Sequence, residues 1–428
     1  MSCYQEMRLE NGLQLSSYCM HHLHALEISV YFRGGSLYES RGNQGVSHLL
    51  EHLCFRNLNG VPQAQLYQKL DDIGAVLKGA TYTEAVVFRL KVAPRFFDEA
   101  FQLFCQLFAP GTWTPEEIAA EKEVVLRQIE NEDQDFWADT SRQFWKTKAG
   151  AFPIMGTKDS VRNLSSATIH QWKKKTFRPQ NACVVMTGNF SQGMLQKAAE
   201  VLAEFKGPDL PAFEQPTPLQ FCMRDESCDV LSNITYDQAQ VHISFDLNDD
   251  LVFPLCADVL NNLTGEGVSS ALFMELRERR ALTDEISSTI EEVGCFRRMT
   301  ITYLVAHDKL LESLEAVFSI LAGLRRHISL RQMERTHVFF TDNLQFLLDE
   351  TDTLNEMLGW GFLSGNSEEC DLDVRAHMYE DMNEEDVLDA AQAIFRPENL
   401  CISIAKNPSH IKAQVLRETL KKCREMLL

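Results

Sequence analysis

The chain has 428 residues, 45% hydrophobic and 24% charged, a globular composition long enough for two domains of about 200 residues each. Its 61 acidic against 41 basic side chains give a net charge of −20, which argues against nucleic acid, whose phosphates need a basic surface, and suits a basic peptide as partner. No apolar run reaches the roughly 18 to 20 residues that cross a bilayer and the start MSCYQEMRLENGLQL has no apolar leader core, so no membrane partner is expected and the expected location is cytoplasmic.

In chain order, MHHLHAL offers His21, His22 and His24, read as solvated histidines at a strand or loop edge. ALEISVYF (25–32) alternates like a strand. NQGVSHLLEHLCFRN (43–57) has a polar and glycine entry, then Leu49, Leu50 and Leu53 at helical spacing with no internal breaker, and predicts a helix. On it His48 and His52 stand at i and i+4, one above the other. Two neutral imidazoles so placed can hold Zn²⁺, and Glu51, just off that line, can serve a bound water as general base. The order H-x-x-E-H inverts that of the H-E-x-x-H zinc peptidase helix; the other reading is a satisfied pair of helix histidines.

AVVFRLKV (85–92), AQVHISFDL (239–247) and RRMTITYLV (297–305) read as further strands between long helices. WKKKTFR (172–178) reads as a solvated helix end, its cations suited to the carboxyl terminus. The 12 cysteines, with no C-x-x-C pair, are read as reduced, buried and without chemistry.

The two halves repeat each other. FRPQNACVVMTGN (177–189) returns as FRPENLCISIAKN (395–407), each preceded by a helix with Ser or Asn placed to cap it. LKVAPRFFDEAFQLFCQLF likewise answers to YLVAHDKLLESLEAVFSIL. The fold class expected is α+β, with two homologous domains at 1–206 and 222–428, each a mixed sheet packed with helices. The proline-rich stretch 207–221, holding Pro208, Pro211, Pro216 and Pro218, is expected to connect them.

RGGSLYESRGNQGVSHLLEHLCFR, LDDIGAVLKGATYTEAVVFRL, PEEIAAEKEVVLRQIENE and LTGEGVSSALFMELRERRALTDEIS resemble, in order, four regions of the pitrilysin family of inverzincin peptidases, and the resemblance runs nearly end to end. It implies sheets that are mostly antiparallel, two domains facing across a chamber that encloses a peptide, and zinc held by two His and one Glu. By position His48 and His52 are implied ligands and Glu51 the base. The family's third-ligand helix carries two glutamates seven residues apart; here Glu121 takes the supporting position, and the ligand position is Gln128, whose amide brings no charge. Glu130 would turn about 200° away, and Glu132, one turn on, reaches only if the helix shifts.

A second departure lies at LRERRALTD. Members acting alone place an Arg there and a Tyr seven residues later; Arg277 is present, but Asp284 stands for the Tyr and Ala281 for the usual Gly. An ionised carboxylate cannot donate to an oxyanion. Arg279 and Arg280 read as helix surface. KGATYT (78–83) matches the family's peptide-binding edge strand, with Lys78 where Asn is common. The leading reading is a zinc-bearing subunit paired with a second chain that brings the Arg and Tyr, with leader-peptide processing as one role. The alternatives are a homodimeric peptidase and a non-catalytic chamber subunit or peptide-binding scaffold with a degenerate metal site.

Overall fold

A computed structural model describes residues 4–132, 136, 140, 144, 153–208, 210, 213, 229–247, 252–293, 296–365 and 370–428. The chain forms two compact units, Met1–Gln134 with Phe152–Pro216 and Asn343–Arg375, and Asp135–Ala151 with Thr217–Asp342 and Ala376–Leu428. These units are discontinuous, unlike the contiguous halves expected at 1–206 and 222–428. Most of the proline-rich stretch 207–221 lies outside the described residues.

The first unit is built on β1 (Tyr4–Arg8), β2 (Gln14–Cys19), β3 (Leu26–Arg33), a small hairpin of β4 (Asn57–Leu58) and β5 (Val61–Pro62), β6 (Val76–Thr81), β7 (Ala85–Val92) and β8 (Ala182–Gly188). Its six-stranded sheet runs β1-β2-β8-β3-β7-β6, antiparallel except where β2 lies parallel to β8. The second unit holds β9 (Val230–Asn233), β10 (Gln238–Leu247), β11 (Ile286–Val293), β12 (Phe296–Ala306) and β13 (Leu400–Lys406) in the order β11-β12-β10-β13-β9, parallel only between β13 and β9. Matching β2-β8-β3-β7-β6 to β9-β13-β10-β12-β11 superimposes both order and direction. The repeated segment supplies β8 and β13, each buried along its whole length.

The two matched helices before these strands are capped by Ser165, which accepts from Thr168 N at 3.1 Å, and by Asn383, which accepts from Glu385 N at 2.8 Å. Such side chains satisfy amides that have no partner within the helix.

The segment 343–375 joins the first unit through the helix Asp352–Ser364, which buries Leu354, Leu358 and Leu363. Its seam with the sheet is polar: Tyr31 Oη donates to Asn355 Oδ1 at 3.3 Å, Asn355 Nδ2 to Thr187 Oγ1 at 3.2 Å, and Thr351 Oγ1 to Glu27 Oε2 at 3.0 Å. Periodicity announces the helix but not which sheet it covers.

One expectation is corrected outright: in WKKKTFR, Lys173 is not solvated. It is 5% exposed, donates to Leu107 O at 3.1 Å and lies 4.7 Å from the Phe177 ring, while Lys174 is exposed and the exposed Lys175 lays its ammonium 4.6 Å from the Phe213 ring. A carbonyl and aromatic faces replace the water that the ammonium gives up. No helix among the described residues is long and apolar enough to cross a membrane.

Candidate metal centre

The H-x-x-E-H residues lie on α1 (Val46–Arg56), whose inner face is formed by Leu49, Leu50 and Leu53, all fully buried. The chain enters α1 through Gly45 in the left-handed conformation, φ +84°, where a Cβ would lie 2.4 Å from Met155 O. The first amides are capped from a distance: Glu39 accepts from Gly45 N at 2.7 Å and Ser47 N at 2.8 Å. Ser47 Oγ donates to Gly34 O at 2.6 Å and accepts from Trp172 Nε1 at 2.9 Å. At the other end Trp113 Nε1 donates to Leu53 O at 2.7 Å. A helix held at both ends and in register fixes what its outer face presents.

That face presents His48 and His52, 14% and 17% exposed, with ring centroids 4.7 Å apart. Three more helices follow in chain order, α2 (Gln63–Asp72), α3 (Phe97–Cys105) and α4 (Pro115–Glu132). The last turns Glu121 and Gln128, two helical turns apart, to the two histidines. Glu121 Oε2 lies 3.2 Å from His52 Nδ1 and its Oε1 3.6 Å from Arg56 Nη1, so this carboxylate orients the ring and leaves the other ring nitrogen available. Gln128 Oε1 lies 3.1 Å from His48 Nε2. His48 Nδ1 is buried with no hydrogen-bond partner, the Glu51 Oε2 oxygen lying 3.7 Å away.

Glu51 is 9% exposed. Thr81 Oγ1 donates to its Oε2 at 3.2 Å, and Gly79 permits the approach, since a Cβ there would lie 2.7 Å from Glu51 Oε1. Burial raises the Glu51 carboxyl above its ordinary range, with His52 and the Thr81 hydroxyl opposing. Burial likewise lowers His48 to about 4, the Gln128 hydrogen bond opposing and nearby His52 reinforcing. His48 is therefore a neutral imidazole near pH 7, the form that ligates metals.

His48, Glu51 and His52 offer ligand atoms within 4.8 Å of one another. With Gln128 this set suits a divalent cation in donor type and burial, and His48 Nδ1 is an atom that a cation would satisfy. It carries one negative charge fewer on α4 than a set of two His and one Glu. Glu130 points to solvent, and the Glu132 side chain lies outside the described residues.

Arg277 and Asp284 belong to the second unit, and both are exposed. Arg277 sits in the π-helical turn Phe273–Arg279 with its guanidinium 4.8 Å from the Phe273 ring. Ala281 keeps a left-handed φ of +48° although the glycine is gone. Arg279 and Arg280 pair with Glu275 at 3.1 and 2.8 Å. Glu39, Trp113 and Thr81 were not singled out from the sequence. Trp113 and Thr81 reach their partners from distant parts of the chain and Glu39 from the loop just before α1, and only the small residues of KGATYT marked that strand.

Two copies of one α+β fold, the first carrying H-x-x-E-H on a clamped helix, define the class of the duplicated inverzincin-type proteins. The chain belongs to peptidase family M16: residues 21–158 match the family described as Insulinase (Peptidase family M16), and residues 163–336 match Peptidase M16 inactive domain. A relative from Rickettsia bellii named "Uncharacterized zinc protease" is 22% identical over 360 residues, 82% of this chain and 85% of its own. The mitochondrial-processing peptidase subunit beta of Blastocladiella emersonii is 28% identical over 203 residues, 46% of this chain and 43% of its own. The crystal structure of a protease from Helicobacter pylori shares the fold, with a TM-score of 0.83 at 18% identity, covering 94% of this chain and 99% of that one.

Proposed function

We propose that this chain is the zinc-bearing subunit of a metallopeptidase that hydrolyses chamber-enclosed peptides, paired with a second chain of the same fold that supplies the Arg and Tyr element. The observation that carries this reading is the buried, unpartnered His48 Nδ1 within a group where His48, Glu51 and His52 offer ligand atoms within 4.8 Å. His48 and His52, with the Gln128 amide oxygen as third donor, would hold zinc, which when bound polarises a carbonyl and acidifies water.

Glu51 then acts as the proton carrier, taking the proton of the attacking water and passing it to the leaving amine. Thr81 holds that carboxylate, and Glu121 holds His52. An extended peptide would add to β6, an edge strand of its sheet. Arg277, or its counterpart in the partner, orients the peptide backbone. The name of the mitochondrial relative, a subunit, supports pairing. The net charge of −20 suits a basic peptide, with leader processing as the role, and the scattered thiols suit a cytoplasmic setting.

Gln128 and the exposed Asp284 favour a second reading, a non-catalytic chamber subunit or peptide-binding scaffold. Elemental analysis of the purified chain separates the two. Close to one zinc per chain, lost in His48→Ala and His52→Ala, is the result expected of the zinc-bearing subunit. No zinc in the natural chain, with zinc appearing in Gln128→Glu, would establish the second reading instead.

A further inference from the structure

β6 is an edge strand, and its residues divide by face. Leu77, Gly79 and Thr81 face α1: Leu77 packs against the core beneath it, a Cβ on Gly79 would lie 2.7 Å from Glu51 Oε1, and Thr81 Oγ1 donates to Glu51 Oε2 at 3.2 Å. Val76, Lys78 and Ala80 therefore take the other face, where Val76 stands directly opposite Lys91 of β7 and Lys78 directly opposite Arg89. Both β7 cations are matched by the helix Asp352–Ser364, Arg89 pairing with Glu356 and Lys91 Nζ with Asp352 Oδ1 at 2.6 Å. The Lys78 side chain is exposed and has no ion pair or hydrogen bond to another described residue. Cations directly opposite each other repel. With one carboxylate serving the two of them, a positive charge is left uncompensated at the edge of the sheet.

We propose that Lys78 is a specificity-determining residue, and that β6 selects a peptide strand with Asp or Glu opposite it. The inference rests on the peptidase reading, which brings an extended peptide to β6. On a strand added there, the residue opposite Lys78 turns its side chain to the same face, with the two Cβ atoms about 5 Å apart and within reach of an ion pair. Glu51 lies against β6 at Gly79 and Thr81, so the bond it serves runs along that stretch and the selected acid falls close to it. A lysine at the same peptide position would add a third cation to Lys78 and Arg89, so the strand discriminates by repulsion as well as by attraction. The overall charge of −20 acts on the peptide as a whole, and Lys78 on one position of it.

The experiment measures binding of fluorescent peptides to the full chain by anisotropy at low salt, with Asp, Asn or Lys placed at successive positions of one extended sequence, and follows hydrolysis of the same mixtures by mass spectrometry. The natural chain, Lys78→Met and Lys78→Glu are compared. At one position the natural chain should bind Asp about fivefold more tightly than Lys. Lys78→Met should lose that preference and Lys78→Glu should reverse it, and added salt should shrink it because both charges are exposed. The same ranking of peptides in all three chains would overturn the inference, and if the natural chain still hydrolysed them the peptidase reading would stand without it. A reversed ranking with no hydrolysis would support the role of Lys78 and count against the peptidase reading. No binding of any peptide would overturn both.

Discussion

Gln128 shows how little geometry changes when chemistry changes. Its amide oxygen faces His48 where a carboxylate would, at 3.1 Å, and the helix beneath it needs no adjustment. What is lost is charge, so Gln128→Glu should tighten zinc binding by roughly 10- to 100-fold; competition against a chelator of known affinity reads this directly, and an unchanged affinity would remove Gln128 from the metal's reach. Glu27 carries a different cost. It is 2% exposed, its Oε1 has no hydrogen-bond partner, and burial raises its carboxyl above the ordinary 4.5, the Thr351 hydroxyl opposing. Because the folded state holds this proton more tightly than the unfolded chain does, the contribution to stability is present below 4.5 and is lost as pH rises through the folded value. Glu27→Gln should therefore gain stability over the natural chain at pH 8, by about 1–2 kcal/mol, and the gain should shrink toward pH 4. Urea unfolding at both pH values checks the sign. His48, Glu51 and His52 were legible in the sequence because i, i+3, i+4 spacing is a local property of a helix. Glu27's predicament was not, since an acid inside an alternating strand gives no hint of a helix arriving from residues 352–364.

At the scale of elements, α1 was readable and its clamps were not. Leucines at helical spacing announce a helix, but Glu39 caps its start from the preceding loop, Trp113 holds its other end from a distant part of the chain, and no capping residue stands at the N-cap itself. The polar residues before it, Asn43 and Gln44, are not its caps. Lys173 was misread for the same reason: three lysines in a row look solvated until one of them meets Leu107 O. The turn after Phe273–Arg279 is the reverse case, because there the sequence shows the departure and the structure shows that the backbone absorbs it. Ala281 N reaches Arg277 O at 3.2 Å and Leu282 N reaches Leu276 O at 2.8 Å, a closing pattern that requires the left-handed residue between. Alanine pays for that conformation where glycine does not, so Ala281→Gly should raise stability by about 1 kcal/mol. Thermal unfolding would show the midpoint moving up by a few degrees; a lower midpoint would mean that flexibility gained in the unfolded chain outweighs relief of strain.

At the scale of the whole molecule, the duplication was the most legible feature, and the reason lies in the motif F-R-P-x-N. Its asparagine does the same work twice. Asn181 donates to Thr176 O at 3.0 Å and to Arg33 O, and accepts from Phe213 N at 3.2 Å. Asn399 donates to Ile394 O at 2.9 Å and to Asp246 O at 2.8 Å, and accepts from Asp246 N at 3.2 Å. Each side chain ties the end of a helix to the strand that pairs with β8 or β13, using both donors and the acceptor of one amide in a site 2% or 1% exposed. Few side chains can do this, which is why the motif stays readable while the surrounding helices have diverged. What the repeat could not reveal is that segment 343–375 groups with the first half, because membership of a core depends on packing and not on order along the chain. Replacing either asparagine by alanine removes three side-chain hydrogen bonds; Thr176 O and Ile394 O keep Arg178 N at 3.0 Å and Arg396 N at 2.9 Å, and each backbone group left unpaired costs about 1 kcal/mol or more. Hydrogen exchange should then show protection falling selectively, along β3 and β8 in Asn181→Ala and along β10 and β13 in Asn399→Ala. If both variants loosened the same sheet, the two units would share one folding core, and the equivalence drawn between the two motifs would fail as an account of stability.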